Sequence, residues 1–427
     1  MKGSRTPLLV LFVTAFVDMV GLTMVVPLLP FYATEYGASA SLVGVLVSAF
    51  SVAQLAAAPL WGRFSDRYGR RPAILAGLVV TAVAYLLFAA ANSVAALFLS
   101  RVIQGLGGGT IGVVQAYVAD TSLPEQRVKS LGWLSAVTSL GAVAGPAFGS
   151  AMVALGGRHA PGLGAAILSL FVALFAWRFL RESRVHTTAG ADPASRTTSR
   201  SVMLRILTRW NEPASRLIWI YAIAIGAFYG TIQLAPLLLQ ARLQVTEQTV
   251  GYFVMYLGAI GVIVRALVLG RVVDRLGEAR LSRLGIVLLA FGLAATGLSQ
   301  GGPLLAAGFT LMPLGTAFLF PCITGLLSRV IPTRDRGLYM GVQHTFGGIS
   351  RVAFPVGAGI LMDRFGVGVP FWIAGLLVLA TLPLTAALDR WLAAVPVTRS
   401  QAVEARNLAA ADITGEIRLD PPGSREG

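Results

Sequence analysis

Long apolar stretches alternate with short polar ones along the whole chain. They fall near residues 7–33, 41–62, 72–91, 93–118, 128–155 and 161–181, and again near 213–242, 248–269, 281–299, 302–328, 337–362 and 367–391. About 20 apolar residues are enough for a helix to cross a hydrocarbon core. The pattern therefore predicts an all-α membrane protein of twelve transmembrane helices. A polar gap at 182–212, with Ser, Thr, an Asp-Pro step and scattered arginines, divides the twelve into two sets of six. The expected organisation is an N-terminal six-helix bundle (1–181), a cytoplasmic linker (182–212), a C-terminal six-helix bundle (213–391) and a polar tail (392–427) with the composition of a disordered segment. Within the linker, 202–210 reads either as an amphipathic stretch on the inner leaflet or as part of a plain tether.

The two sets are related by an internal repeat. Between the second and third runs lies a short charged turn, 61–72, containing Gly62-Arg63-Phe64-Ser65-Asp66-Arg67-Tyr68-Gly69 and then Arg70, Arg71 and Pro72. It recurs 208 residues later as Gly270-Arg271-Val272-Val273-Asp274-Arg275-Leu276-Gly277. Pro27 and Pro236, Arg127 and Arg336, Gly132 and Gly341, and Pro146 and Pro355 pair at an offset of 209. A repeat of this length makes the two six-helix bundles pseudo-symmetric. The second copy has Glu278, Ala279 and Arg280 where the first has Arg70, Arg71 and Pro72, and so reads as degenerate.

Composition agrees with a membrane location. Of 427 residues, 56% are hydrophobic and 12% charged, against about 25% charged in soluble domains. The net charge of +15 raises the question of nucleic acid, but its distribution answers it. Lys and Arg crowd into alternate loops and the termini. Only Arg158, Arg242 and Arg364 fall in the opposite loops, and Arg101, Arg265 and Arg351 within spans. By the positive-inside rule both termini and the linker are cytoplasmic. The expected partners are a lipid bilayer, a proton and a small molecule, with no nucleic acid; the chain is expected to act as a monomer. The single cysteine, Cys322, excludes an intrachain disulfide framework. The first run is too long for a signal-peptide core and is kept as a span.

Asp18 is the one acid deep in a span. A carboxylate at mid-bilayer costs about 2.5–3.5 kcal/mol on insertion scales, so its presence points to function. It is either a proton carrier or a fixed partner of an intramembrane arginine. Thr14, Gly21, Leu22 and Val25 share its helical face. In span 4, Arg101, Gln104, Gly105, Gly108, Gly112 and Gln115 recur at helical spacing as a small, polar stripe. Gly107-x-Gly109-x-x-Gly112 matches a dinucleotide fingerprint, yet no strand precedes it, and close helix packing accounts for the glycines. In span 5, Gly141, Gly145, Pro146 and Gly149 make a flat ridge for a neighbouring helix. Asp120, at the end of span 4, is placed to pair with Arg70 or Arg71. In span 11, His344 and Arg351 share a face; the histidine is either a structural hydrogen-bonding residue or part of a proton relay. Arg265 lies close to Gly270 and reads as snorkelling to the interface. Gln233 and Gln343 complete the expected substrate cavity. No metal-ligand cluster, nucleophile triad or phosphate loop is found, and no cofactor is expected.

Several of these elements resemble the major facilitator superfamily. Gly-x-x-x-Asp-Arg-x-Gly-Arg-Arg, at Gly62, Asp66, Arg67, Gly69, Arg70 and Arg71, is similar to the loop after the second span of those transporters. Arg101-x-x-Gln104-Gly105 is similar to the span-4 motif of the superfamily. Gly141-x-x-x-Gly145-Pro146-x-x-Gly149 resembles the motif of its antiporter branch. With Asp18-x-x-Gly21, Pro27, Pro30, Gln126-Arg127-Val128-Lys129 and Gly132-Trp133, the first half resembles the tetracycline/proton and twelve-span drug/proton antiporters. The resemblance implies proton-coupled efflux of a small amphipathic compound across a bacterial inner membrane, by alternating access and without enzymatic chemistry. Proton coupling is expected at Asp18, Arg101 and His344, and gating at the 62–72 loop with Asp120. Tetracycline exporters carry acids in spans 3 and 9; this chain has none there. Arg101 and Arg351 outnumber the single deep acid, which leaves an anionic metabolite as the alternative substrate. A membrane scaffold without transport is a third reading.

Overall fold

The structure, a computed structural model, describes residues 6–123, 126–183, 199–332, 335–386 and 388, and these are helical throughout, with no strand among them. Span 1 is α1 (Thr6–Val25), a single 3-10 turn at Val26–Leu28, and α2 (Leu29–Glu35). Spans 2 and 3 are α3 (Ala40–Tyr68) and α4 (Arg70–Ala89). Span 4 is divided into α5 (Val94–Gly108) and α6 (Ile111–Thr121); spans 5 and 6 are α7 (Arg127–Gly156) and α8 (Ala160–Phe179). The linker contributes α9 (Ser199–Thr208), and span 7 is α10 (Pro213–Ile232) with α11 (Ala235–Leu243). Then α12 (Glu247–Ile263), a π-helical turn (Val264–Val268) and α13 (Leu269–Leu298) form one helical run. That run turns at Gly277, which has non-helical angles, and so supplies spans 8 and 9. Spans 10 and 11 are α14 (Gly302–Val330) and α15 (Arg336–Phe365); span 12 is α16 (Val369–Leu379) with a 3-10 turn at Leu382–Thr385.

Ten of these stretches are long and apolar enough to cross a membrane, the 52-residue Glu247–Leu298 run counting once. Its two halves and the shorter Val369–Thr385 bring the number to the expected twelve. In the first half α1 packs on α7 and α8, α4 on α5 and α8, and α3 on α5. In the second, α10 packs on α14, α15 and α16, and α13 on α14 and α16. Two faces join the halves, α3 against α15 and α7 against α12.

The charged turn is much shorter than the 61–72 expected. α3 continues through Tyr68 and α4 begins at Arg70, so Gly69 is the whole turn, at φ 108°. A backbone reversal in one residue needs a positive φ, which glycine reaches without strain. Gly277, at φ 76°, does the same in the second half. Pro72 consequently sits within the first turn of α4 rather than at its first position. Span 4 also departs from expectation. The run read as continuous over 93–118 is interrupted at Gly109 and Thr110, where adjacent glycines make helix propagation costly.

Close inter-bundle packing concentrates at the end of the molecule holding residues 35–50, 146–160, 243–251 and 355–369. A side chain at Gly44 would collide with the Pro355 carbonyl, and one at Gly251 with the Pro146 carbonyl. Ser48 donates to the Val352 carbonyl at 2.7 Å and Ser150 to the Glu247 carbonyl at 2.6 Å. Asp363, at the end of span 11, accepts from the Ala40 and Ser41 amides that open span 2, each at 2.8 Å. Near the other end, added side chains at Gly62, Gly132, Gly270 and Gly341 would meet open space.

The linker helix docks on protein. Val202 and Ile206 are buried, α9 packs on α15 and α10, and Trp219 donates to the Ile206 carbonyl. Arg205 pairs with Glu212 at 2.7 Å, which holds that carboxyl below its usual range. The expected tail, 392–427, lies outside the described residues, as do linker residues 184–198.

Candidate functional site

Two cavities adjoin in the membrane-spanning part of the protein. The first, about 580 Å³, lies inside the N-terminal bundle among spans 1, 3, 4 and 5. Asp18, Thr14 and Gln115 line it, with Thr110, Ser135 and Thr138. The second, about 380 Å³, lies between the bundles. Arg101, Gln54, Tyr229, Gln233 and Arg351 line it, with Leu22, Leu29, Val47 and Phe50 as apolar wall. Met19, Ile111 and Thr138 border both. The face expected around Asp18 is thus shared out: Asp18 and Thr14 point into the first cavity, Leu22 into the second.

The helix breaks shape the inter-bundle cavity. Val26 opens the 3-10 turn in span 1 and Leu29 follows it, and Gln233 sits in the break between α10 and α11. Pro27 and Pro236, paired by the repeat, follow these points. A proline supplies no amide to the helix ladder. Discontinuous helices of this kind flank substrate sites in secondary transporters.

Between Asp18 and Arg101 stands Tyr85 of span 3. Its ring covers Gly21, one turn beyond Asp18, and its hydroxyl lies 3.5 Å from where a Gly21 side chain would begin. Tyr85 is buried and within electrostatic reach of Asp18 and Arg101, with Gln104 beside it. The Tyr85 hydroxyl, both amide atoms of Gln104 and Nε of Arg101 are buried without a well-formed hydrogen bond. The Arg101 guanidinium rests over the Phe88 ring, 5.4 Å from its centre. Among the described residues no hydrogen bond or ion pair engages Asp18, Arg101 or Arg351 through a carboxylate. Orphaned polar groups in an apolar interior are costly unless water, a proton or a ligand satisfies them. Tyr85 was not foreseen because a tyrosine within an apolar run carries no distinguishing signal.

The other expected cavity residues divide. Gln233 and Arg351 face the inter-bundle cavity. Gln343 is buried in the packing of spans 10 and 11, with Thr324 at 3.5 Å. His344 is exposed, lies edge-on to Tyr221 and is near Arg351, but lines neither cavity.

The residues of the 62–71 turn lie close to Asp120. Arg70 bonds Asp66 at 2.8 Å and Asp120 at 3.1 Å, and donates to the Ser65 hydroxyl. Arg67 lies over Tyr68, and Arg71 donates to the Trp177 carbonyl. Glu182, after span 6, accepts from the Arg70 and Arg71 amides and so caps α4. In the second half, Glu278 binds Arg329 at 2.9 Å.

The glycine ridge of span 5 has span 1 as its neighbour. A side chain at Gly141 would meet Phe16 and Met19, one at Gly145 would collide with Thr23, and one at Gly149 with the Met24 carbonyl. Thr23 also donates to the Gly141 carbonyl at 3.3 Å. Pro146, between them, faces span 8. Span 5 therefore touches the Asp18 helix on one side and the opposite bundle on the other.

Comparison with known proteins agrees with this architecture. The family model described as Major Facilitator Superfamily matches residues 11–281 and 263–422. Multidrug resistance protein 2 of Bacillus subtilis (strain 168) is 27% identical over 396 residues, covering 89% of this chain and 94% of that protein. Tetracycline resistance protein, class B, of Escherichia coli is 27% identical over 364 residues, covering 84% and 88%. Among solved structures, the human organic anion transporter MFSD10 (TETRAN) superposes with a TM-score of 0.64 at 24% identity, covering 89% of this chain and 99% of that one. A bacterial homolog of the human lysosomal transporter Spinster, inward-facing and occupied, gives 0.71 at 14% identity, covering 90% and 95%.

Proposed function

The chain belongs to the major facilitator superfamily and is a multi-pass membrane transporter, and on that premise we propose that it exports a small amphipathic compound from the bacterial cytoplasm in exchange for protons. The observation that carries this reading is the unpaired Asp18 carboxylate, lining a cavity of its own beside the inter-bundle cavity. A carboxyl group so placed alternates between a neutral form at home in apolar surroundings and a charged form that needs a cation. The orphaned Tyr85, Gln104 and Arg101 are the groups next to it that can meet that need. The multidrug and tetracycline resistance relatives support efflux as the direction.

Sidedness follows from charge. With the arginine-rich loops cytoplasmic, the tightly packed end of the bundles faces outward and the open end inward. The conformation is then inward-facing. Opening outward requires parting Gly44 from Pro355 and Gly251 from Pro146, and releasing Asp363 from span 2. Protonation of Asp18 from outside and its deprotonation inside give the two states whose packings differ. The Gly141, Gly145 and Gly149 ridge connects the Asp18 helix to Pro146 and hence to span 8. A proton entering down ~100 mV and one pH unit supplies about 3.7 kcal/mol, on the order of 500-fold accumulation of a neutral substrate.

The test is transport in everted vesicles with an imposed proton gradient, using compounds that a resistance panel on expressing cells identifies. Uphill accumulation abolished by Asp18→Asn supports the reading; accumulation indifferent to the gradient removes proton coupling.

A further inference from the structure

The inter-bundle cavity is cationic. Arg101 and Arg351 line it, and no carboxylate does. The Arg351 guanidinium lies over an aromatic face, 5.9 Å from the centre of the Tyr229 ring. Arg101 is buried with Nε unsatisfied. Arg265 of span 8, exposed and outside the lining of this cavity, is within electrostatic reach of the same ring. It sits in the π-helical turn Val264–Val268, which places one extra residue in the helical circuit and re-aims the side chains after it. Such turns are rare, and here one coincides with the only arginine in the interior of span 8.

We propose that this cavity takes an amphipathic organic anion, whose carboxylate or sulfonate is held by Arg351 and Arg265 about Tyr229. The acid group gains charge-assisted, bidentate hydrogen bonds from the guanidinium groups. The apolar body lies against Leu22, Val47 and Phe50, in a volume that suits a small aromatic molecule. Asp18 lines the neighbouring cavity and not this one. The assignment deepens the exporter reading by naming its substrate class, and rests on it for the direction of transport alone.

Binding and transport are measured separately so that the two readings fail separately. The probes are 1-naphthaleneacetate and a trimethylammonium cation on the same naphthylmethyl body. Equilibrium dialysis against the purified full chain in lipid nanodiscs is expected to show saturable binding of the anion and none of the cation. Arg351→Gln and Arg265→Gln each weaken anion binding about tenfold, as expected for loss of one charge-assisted contact. Arg265→Lys retains part of it, and Arg178→Gln, at the end of span 6, leaves it unchanged. Thermal melting of each variant separates loss of binding from loss of fold. Saturable binding of the cation in preference to the anion, or no anion binding at all, overturns the proposal. Anion binding that Arg265→Gln leaves intact removes Arg265 from the site. Anion binding without proton-driven accumulation keeps the anion site and overturns the exporter reading instead.

Discussion

Glu278 binds Arg329 at 2.9 Å, at the positions where the first half of the protein pairs Arg70 with Asp120. The signs are reversed and the geometry kept: the first residue opens the span after the one-glycine turn, and the second closes the span that follows. The second copy of the loop is therefore a charge-swapped latch, and the reading of it as merely degenerate misses this. The double exchange Glu278→Arg with Arg329→Asp would reproduce the polarity of the first half. Glu278→Gln is expected to lower transport several-fold and the double exchange to recover most of it, measured in vesicles at matched protein amounts. For a partly exposed pair the stability change should stay near ~1 kcal/mol.

Asp66 and Asp274 are equivalent in sequence but differ in what they hold. Asp66 bonds Arg70, whereas no ion pair engages Asp274 among the described residues. Asp66→Asn is expected to impair transport while leaving membrane insertion intact, and Asp274→Asn to do less. A larger loss in Asp274→Asn, with both proteins equally abundant in the membrane, would show that the two loops do not divide the task in this way.

Gly145 and Gly149 lie where span 5 meets the backbone and Thr23 of span 1. Alanine at either position must push the helices apart, at a cost of about 1–3 kcal/mol. A lowered melting temperature with transport reduced at least tenfold is expected. Gly132→Ala, on the same helix but facing open space, should change neither.

Asp18→Asn imitates the protonated carboxyl in shape and cannot cycle. It should keep substrate binding at least in part and lose uphill, gradient-driven transport. Tyr85→Phe removes only the orphaned hydroxyl; we expect slower proton-driven transport and an altered pH profile, with exchange of substrate for substrate retained. Wild-type uphill rates in Asp18→Asn would assign the proton to another group, with His344 the next to test.

Twelve spans, the repeat and Asp18 were legible because each rests on local chemistry: runs of apolar residues, matched spacing, a lone charge in hydrocarbon. The boundaries of the 61–72 turn were not, since Trp61, Phe64 and Tyr68 continue a helix as readily as they end one. Arg101, Gln104 and Gln115 looked like one stripe, but the break at Gly109 and Thr110 sends Arg101 and Gln115 into different cavities. Tyr85 is visible only in the tertiary packing, which shows what stands beside it. Glu278 and Arg329 stand at the repeat's offset from Arg70 and Asp120 with the charges reversed, a relationship that residue identity alone does not reveal.

Two arginines, Arg101 and Arg351, line the inter-bundle cavity, and a guanidinium carries a fixed positive charge. An empty carrier therefore holds fixed positive charge where a loaded one is partly neutralised. A full elementary charge crossing 100 mV is worth about 2.3 kcal/mol, so even a fraction of that displacement matters. With the cell interior negative, the field pulls the unloaded protein back toward its inward-facing form and weighs less on the loaded one. Voltage then works as a return spring, acting on the reset half of the cycle.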